Sequence, residues 1–107
     1  MKFTVFERIV LSSLLPTEDN FATLKLLRKA KESLSFNDIE NQKLNIKQDG
    51  GQVLWDIKAA IEIDNHAAEV ELGDTVIQLV VDTLKKLNEE KKLKDEHFSL
   101  YEKFIGG

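Results

Sequence analysis

The chain has no cysteine among its 107 residues. This absence excludes disulfides, thiol catalysis and the thiolate-ligated zinc and iron–sulfur sites, and it fits a reducing compartment. The longest apolar stretches, such as residues 76–81, fall far short of the ~20 residues that a helix needs to span a bilayer. Residues 1–8 carry charges where a signal peptide needs an apolar segment. We therefore expect a cytoplasmic protein without a membrane segment.

The chain also carries only a small excess of negative charge, with a formal net charge of −4. Such a chain lacks the overall positive charge that drives nucleic-acid binding, although a local patch can still supply it. Hydrophobic residues make up 42% and charged residues 32%, which is typical of a globular domain and argues against long disorder. We expect one domain over residues 1–107.

Local signals predict three helices in the first half of the chain. Residues 4–7 fit a capping box that starts a helix near Thr4, and the single proline, Pro16, ends that segment. Residues 17–20 predict a second helix start, and residues 35–38 predict a short third helix that ends near Lys43. The predicted apolar stripe of the second helix is Phe21, Leu24, Leu27 and Ala30, with Leu26 beside it.

A β-hairpin is predicted next. Residues 44–48 alternate with period two, Asp49-Gly50-Gly51 supplies a tight turn, and residues 52–56 can return antiparallel. Residues 57–73 leave two alternatives open. They form two short strands, 61–63 and 70–72, around a turn at 64–66, or one irregular loop that leads to one strand.

Two helices are predicted to close the chain. Asp74 is a good N-cap for the longest helix, over residues 74–90, whose wide apolar stripe predicts a central and well-buried position. Asp95 is predicted to cap a last helix, which Gly106-Gly107 frays. The side chains predicted to point inward from it are Phe98, Tyr101, Phe104 and Ile105. The fold class is therefore α+β: a mainly helical single domain with a β-hairpin, at about residues 44–56, between two helical blocks.

One cluster of side chains suggests metal or acid–base chemistry. It consists of Asp64, His66, Glu69 and Glu71. A histidine with nearby carboxylates can bind a divalent metal, but a catalytic zinc site needs three rigidly held ligands, and only His97 adds a second imidazole. We favour a polar loop and the solvated face of a strand, and the metal question stays open. No phosphate loop or catalytic motif is present, so we expect neither an enzyme nor a cofactor.

Aromatic residues are the candidates for a protein interaction surface. Trp55, the single tryptophan, could anchor a partner, although a hairpin tryptophan more often packs on its own core. The apolar side chains of the long helix, together with Phe98, Tyr101 and Phe104, could exceed what a core of this size buries. An apolar patch would then remain for a protein partner or for self-association.

A basic group raises the question of nucleic-acid binding. It comprises Lys25, Arg28, Lys29 and Lys31 on the second helix and Lys47 in the hairpin. Three helices followed by a hairpin resemble a winged helix in element order, though the usual first strand is missing. The third helix, which would enter the major groove, carries two acids and one lysine, and phosphates would repel it. We favour a solvated helix face and disfavour nucleic acid as a partner.

Both ends of the chain resemble small uncharacterised proteins of phages and prophages. The resemblance rests on residues 6–9, 14–21 and 100–105 and leaves the middle of the chain uncovered. It brings no catalytic or ligand residue to this sequence. It implies an accessory or regulatory role through protein–protein contacts, which is our leading hypothesis. A winged-helix-like regulator is the alternative.

Overall fold

The computed structural model describes residues 1–106 of the chain. Its elements in chain order are α1 (Val5–Leu14), α2 (Phe21–Leu34), α3 (Asp38–Leu44), β1 (Lys47–Asp49), β2 (Gln52–Leu54), α4 (Ile57–Asn65), α5 (Asp74–Glu89), a 3-10 turn (Asp95–His97) and α6 (Phe98–Phe104). The predicted fold class is confirmed, because a small antiparallel hairpin lies between two blocks of helices. Gly107, part of the predicted frayed end, lies outside the described residues.

The first helix begins where the capping box predicts. Thr4 Oγ1 accepts from the Glu7 backbone N–H at 3.1 Å, and Glu7 Oε1 accepts from the Thr4 N–H at 3.0 Å. Leu15 turns extended just before Pro16, which ends α1. The second helix start is also confirmed, with Asn20 as the N-cap of α2.

The hairpin forms at the predicted place with shorter strands. Lys47 pairs with Leu54 and Asp49 with Gln52. Gly50 and Gly51 both have positive φ, 56° and 84°, as a two-residue hairpin turn of type I′ requires.

Both alternatives for residues 57–73 are wrong, since each placed a strand there. Residues 57–65 form α4, and residues 66–73 contain neither helix nor strand. Asp56 explains the helix: its carboxylate accepts from the Ala59 N–H at 3.0 Å and caps α4. Ala59 and Ala60 then favour helix, and this outweighs the alternation of Ile61 and Ile63.

The two C-terminal helices differ from the prediction in detail. Gly73, not Asp74, is the N-cap of α5, and a 3-10 turn that begins at Asp95 precedes α6. Phe98 was predicted to point inward but is 70% exposed, while its neighbour Leu100 is completely buried. Phe21 of the predicted α2 stripe is likewise exposed, at 75%.

The core consists of two clusters that share α1. The main cluster packs α1, α2, α5 and α6 around side chains such as Leu11, Leu27 and Leu84. The smaller cluster joins α1, α3 and α4 through Val5, Leu44 and Ala60, and the base of the hairpin packs against it. Helix α4 and the hairpin thus rest on the smaller cluster.

Candidate interaction surface

Exposed apolar side chains concentrate in one short part of the chain. Val53, Leu54, Ile57 and Ile61 are all exposed, and they lie within nine residues. Ile57 and Ile61, 64% and 56% exposed, are one helical turn apart and share a flank of α4. Ala60 is buried on the inner side of the same helix. Helix α4 therefore presents apolar side chains inward and outward.

Polar contacts fix α4 against its two neighbouring helices. Asp64 Oδ1 accepts from the Val5 N–H at 2.7 Å, so α4 supplies an additional cap to the first turn of α1. Lys43 of α3 forms an exposed ion pair with Glu62 of α4, with Nζ 3.5 Å from Oε1. The exposed flank of α4 is consequently held in one orientation.

An aromatic pair extends this apolar area onto α1. The rings of Phe6 and Trp55 lie 5.9 Å apart at 30°, and Phe6 is exposed. Arg8 and Ile63 line a cleft on one side of the packed helices α1 and α4. Helical geometry then directs Phe6, Ile57 and Ile61 to the opposite side. We name Phe6, Trp55, Ile57 and Ile61 the hairpin–α4 face.

The structure does not bring together the four aromatic residues singled out in the sequence. Trp55 is half-buried and packs against the smaller cluster. Phe98 and Tyr101 line a cavity of about 350 Å³ beside Leu93. Phe104 stacks on Phe3, with ring centroids 6.0 Å apart. The sequence analysis named Trp55 as a candidate anchor and favoured its packing on the core, and it did not name the exposed isoleucines Ile57 and Ile61.

The basic residues occupy two separate elements. Lys25, Arg28 and Lys29 lie on the exposed side of α2, whereas Lys31 is half-buried and Lys47 belongs to β1. In α3, the helix that a winged-helix arrangement would insert into DNA, the carboxylate of Glu40 lies 3.1 Å from Arg8 Nη1.

The candidate metal ligands are occupied or dispersed. Asp64 caps α1, as described above, and Glu69 Oε2 lies 2.7 Å from the Met1 amino group. Within residues 1–106, no three His, Asp or Glu side chains are grouped closely enough to hold a metal ion.

Arg8 joins three helices in a polar network that the sequence did not reveal. Its Nε donates to the Leu34 carbonyl at 3.0 Å and its Nη2 donates to the Ser35 carbonyl, so it caps the end of α2. Its guanidinium also contacts Glu40 and lies 4.2 Å from the centroid of the Phe36 ring. These contacts give Arg8 a structural role. Arg8 also lines the neighbouring cleft of about 500 Å³, but its guanidinium is already paired within the protein and is not free to bind an anion there.

Two buried polar side chains complete the scaffold. Glu7 accepts from Lys103 of α6, with 2.5 Å between Oε1 and Nζ. Burial alone raises the pKa of Glu7, but hydrogen bonds from Lys103, the Thr4 backbone and Ser99 outweigh it and place the pKa below its ordinary value. His97 Nδ1 accepts from the Lys94 N–H at 3.0 Å, which fixes the turn before α6. Glu7 thus joins α1 to α6, and His97 stabilises the turn that leads into α6.

Across the described part of the chain, no helix is long and apolar enough to cross a membrane. We compared the chain with protein-family models, curated proteins and solved structures, and none of them matched.

Proposed function

We propose that this protein is a small accessory or regulatory protein that acts by binding another protein through its hairpin–α4 face. One observation carries the proposal: Ile57 and Ile61 expose more than half of their surface on a helix whose inner side is already packed. Burying apolar area in a partner gains roughly 25 cal/mol per Å². Burying the hairpin–α4 face against a partner would therefore contribute free energy that folding alone does not provide.

The chemistry of the face fits a helix-mediated contact. Apolar residues at i and i+4 are the anchors with which one helix docks into a groove of a partner. Trp55 precedes α4 and packs against Phe6, and tryptophan is enriched among residues that dominate binding energy.

The test uses affinity capture from the native host after mild crosslinking, with and without nuclease. The face variant combines Ile57→Glu with Ile61→Lys, which leaves the net charge unchanged and adds a favourable i,i+4 pair to α4. The matched control combines Phe21→Glu with Phe98→Lys, which removes two apolar side chains elsewhere that are even more exposed, at 75% and 70%. Circular dichroism verifies that both variants fold.

We expect partners that survive nuclease, remain with the control variant and disappear with the face variant. Equal capture by all three proteins would contradict the proposal. Loss of capture only in the control variant would move the binding surface to Phe98 or Phe21. Partners that nuclease removes would favour the winged-helix-like alternative.

A further inference from the structure

The segment at residues 69–72 has the burial pattern of a β-strand. Glu69 and Glu71 are exposed, Val70 is half-buried and Leu72 is buried, so alternate side chains point into the main core. Its backbone pairs with a single residue, Met1, through two hydrogen bonds at Val70. The Val70 N–H donates to the Met1 carbonyl at 2.8 Å, and the Met1 amino group donates to the Val70 carbonyl at 3.3 Å. Within residues 1–106, the one sheet is the hairpin of β1 and β2, so no strand pairs with this segment.

The opposite edge of this segment carries free backbone groups. Consecutive residues of an extended chain direct their N–H and C=O groups to opposite edges, so those of Glu69 and Glu71 point away from Met1. Neither residue makes a backbone–backbone hydrogen bond with the described part of the chain. Such an unpaired edge is a template for strand addition.

A groove of about 620 Å³ lies along this segment, between it and α2. Its α2 wall contains Leu26, Lys29 and Ser33, and Leu26 is exposed although it is apolar. The groove thus combines the exposed apolar side chain of Leu26 with a row of unpaired peptide groups, and a pocket for a side chain beside free backbone groups is what peptide recognition by β-strand addition requires.

Charge indicates which peptide would fit. Glu71 forms no ion pair with the described residues, and its side chain lies on the outer face of the segment. In an antiparallel pair, the residue opposite lies on the same face, and an opposite charge there is favourable. The residue opposite Val70 would instead turn inward, toward Leu26.

We propose that this groove binds an extended peptide of a partner protein in which an apolar residue adjoins a basic one. The peptide adds a strand to residues 69–72, with its cation beside Glu71 and its apolar side chain against Leu26. This site is separate from the hairpin–α4 face and does not depend on the function proposed for that face.

The test is an NMR titration of the ¹⁵N-labelled protein with the probe peptide acetyl-Lys-Val-Lys-Val-Lys-amide. The control peptide has the same sequence with methylated backbone nitrogens at its lysines, which removes the hydrogen-bond donors and keeps the charge. We expect saturable shifts at the amides of Glu69, Glu71, Leu26 and Lys29 with the probe only. Glu71→Lys should weaken binding by about 3- to 10-fold, and Glu71→Gln by less.

Other results would overturn the proposal. Equal shifts with both peptides, or shifts scattered over the acidic surface, would mean non-specific charge attraction. An absence of shifts at millimolar peptide would mean that the edge does not bind strands. Shifts at Glu69 and Glu71 that depend on protein concentration without peptide would identify a second copy of this chain as the occupant.

Discussion

Replacing Glu7 with glutamine tests how α1 is held against α6. Glu7 is 4% exposed, and its carboxylate accepts from Lys103 Nζ at 2.5 Å and from the Thr4 N–H at 3.0 Å. Glutamine has nearly the same size and can still complete the capping box. The substitution therefore removes the negative charge while keeping the packing and an acceptor for Thr4.

The expected loss follows from the change in hydrogen-bond type. A hydrogen bond to a charged group contributes about 1.5–3 kcal/mol, and a neutral one about 0.5–1.5 kcal/mol. The Lys103 side chain is 37% exposed, and solvent weakens its attraction to Glu7. Glu7→Gln should therefore lower the free energy of unfolding by about 1 kcal/mol at pH 7. Urea denaturation of Glu7→Gln, Lys103→Met and the double variant would give the coupling energy.

The pH dependence of this difference has a definite sign. The pKa of folded Glu7 lies below its ordinary value of 4.5, because burial raises it less than the hydrogen bonds from Lys103, Thr4 and Ser99 lower it. A carboxylate with a depressed folded pKa stabilises the protein above its unfolded pKa, and this contribution is lost as pH falls through the folded pKa. The difference between the native protein and Glu7→Gln should be constant above about pH 5 and shrink below 4.5.

Glu40, whose pKa is also lowered, is present in both proteins and cancels in this comparison. A coupling energy indistinguishable from zero at pH 7 would refute the assigned role of the Glu7–Lys103 contact. A difference that stays unchanged down to pH 3 would refute the charge argument and would point to packing.

Four further substitutions probe other parts of the fold by urea denaturation. Asp56→Ala should cost about 1 kcal/mol, because α4 loses its N-cap, and an unchanged midpoint would contradict that role. Gly73→Ala should cost about 1–3 kcal/mol, since φ 79° and ψ 155° lie in a region open almost only to glycine; a neutral result would argue against this backbone geometry. Leu84→Ala should cost about 2–5 kcal/mol because it leaves a cavity in the main core. Phe98→Ala should stay within about 0.5 kcal/mol, and a larger loss would contradict its exposure.

Signals that act within a few residues allowed much of the fold to be predicted. The capping box of Thr4 and Glu7 operates inside a single helical turn, and Pro16 ends the same helix. Gly50 and Gly51 meet the backbone requirement of the hairpin turn directly. These features depend on local geometry, so tertiary packing did not alter them.

Helical spacing predicts which side chains share one face of a helix, but it does not predict whether other elements cover the ends of that helix. Phe21 and Phe98 have the right spacing for a core position, yet each is the first residue of its helix and remains exposed. Leu100, two residues after Phe98, occupies the buried position instead. Long-range polar contacts are equally hidden, because Glu7 and Lys103 are 96 positions apart in the chain.

Of the candidate site, Trp55 could be identified from the sequence, whereas Ile57 and Ile61 could not. The alternation of Ile61, Glu62 and Ile63 favours a strand, and the N-cap at Asp56 overrides it. β-branched residues lower helix propensity, so Ile57 and Ile61 weaken the helix that they occupy. They gain little burial in return, as both remain exposed. Residues whose intrinsic preference opposes their local secondary structure, and which gain no burial in the protein's own core, are expected at functional sites. The feature that misled the prediction therefore supports an external contact at the hairpin–α4 face.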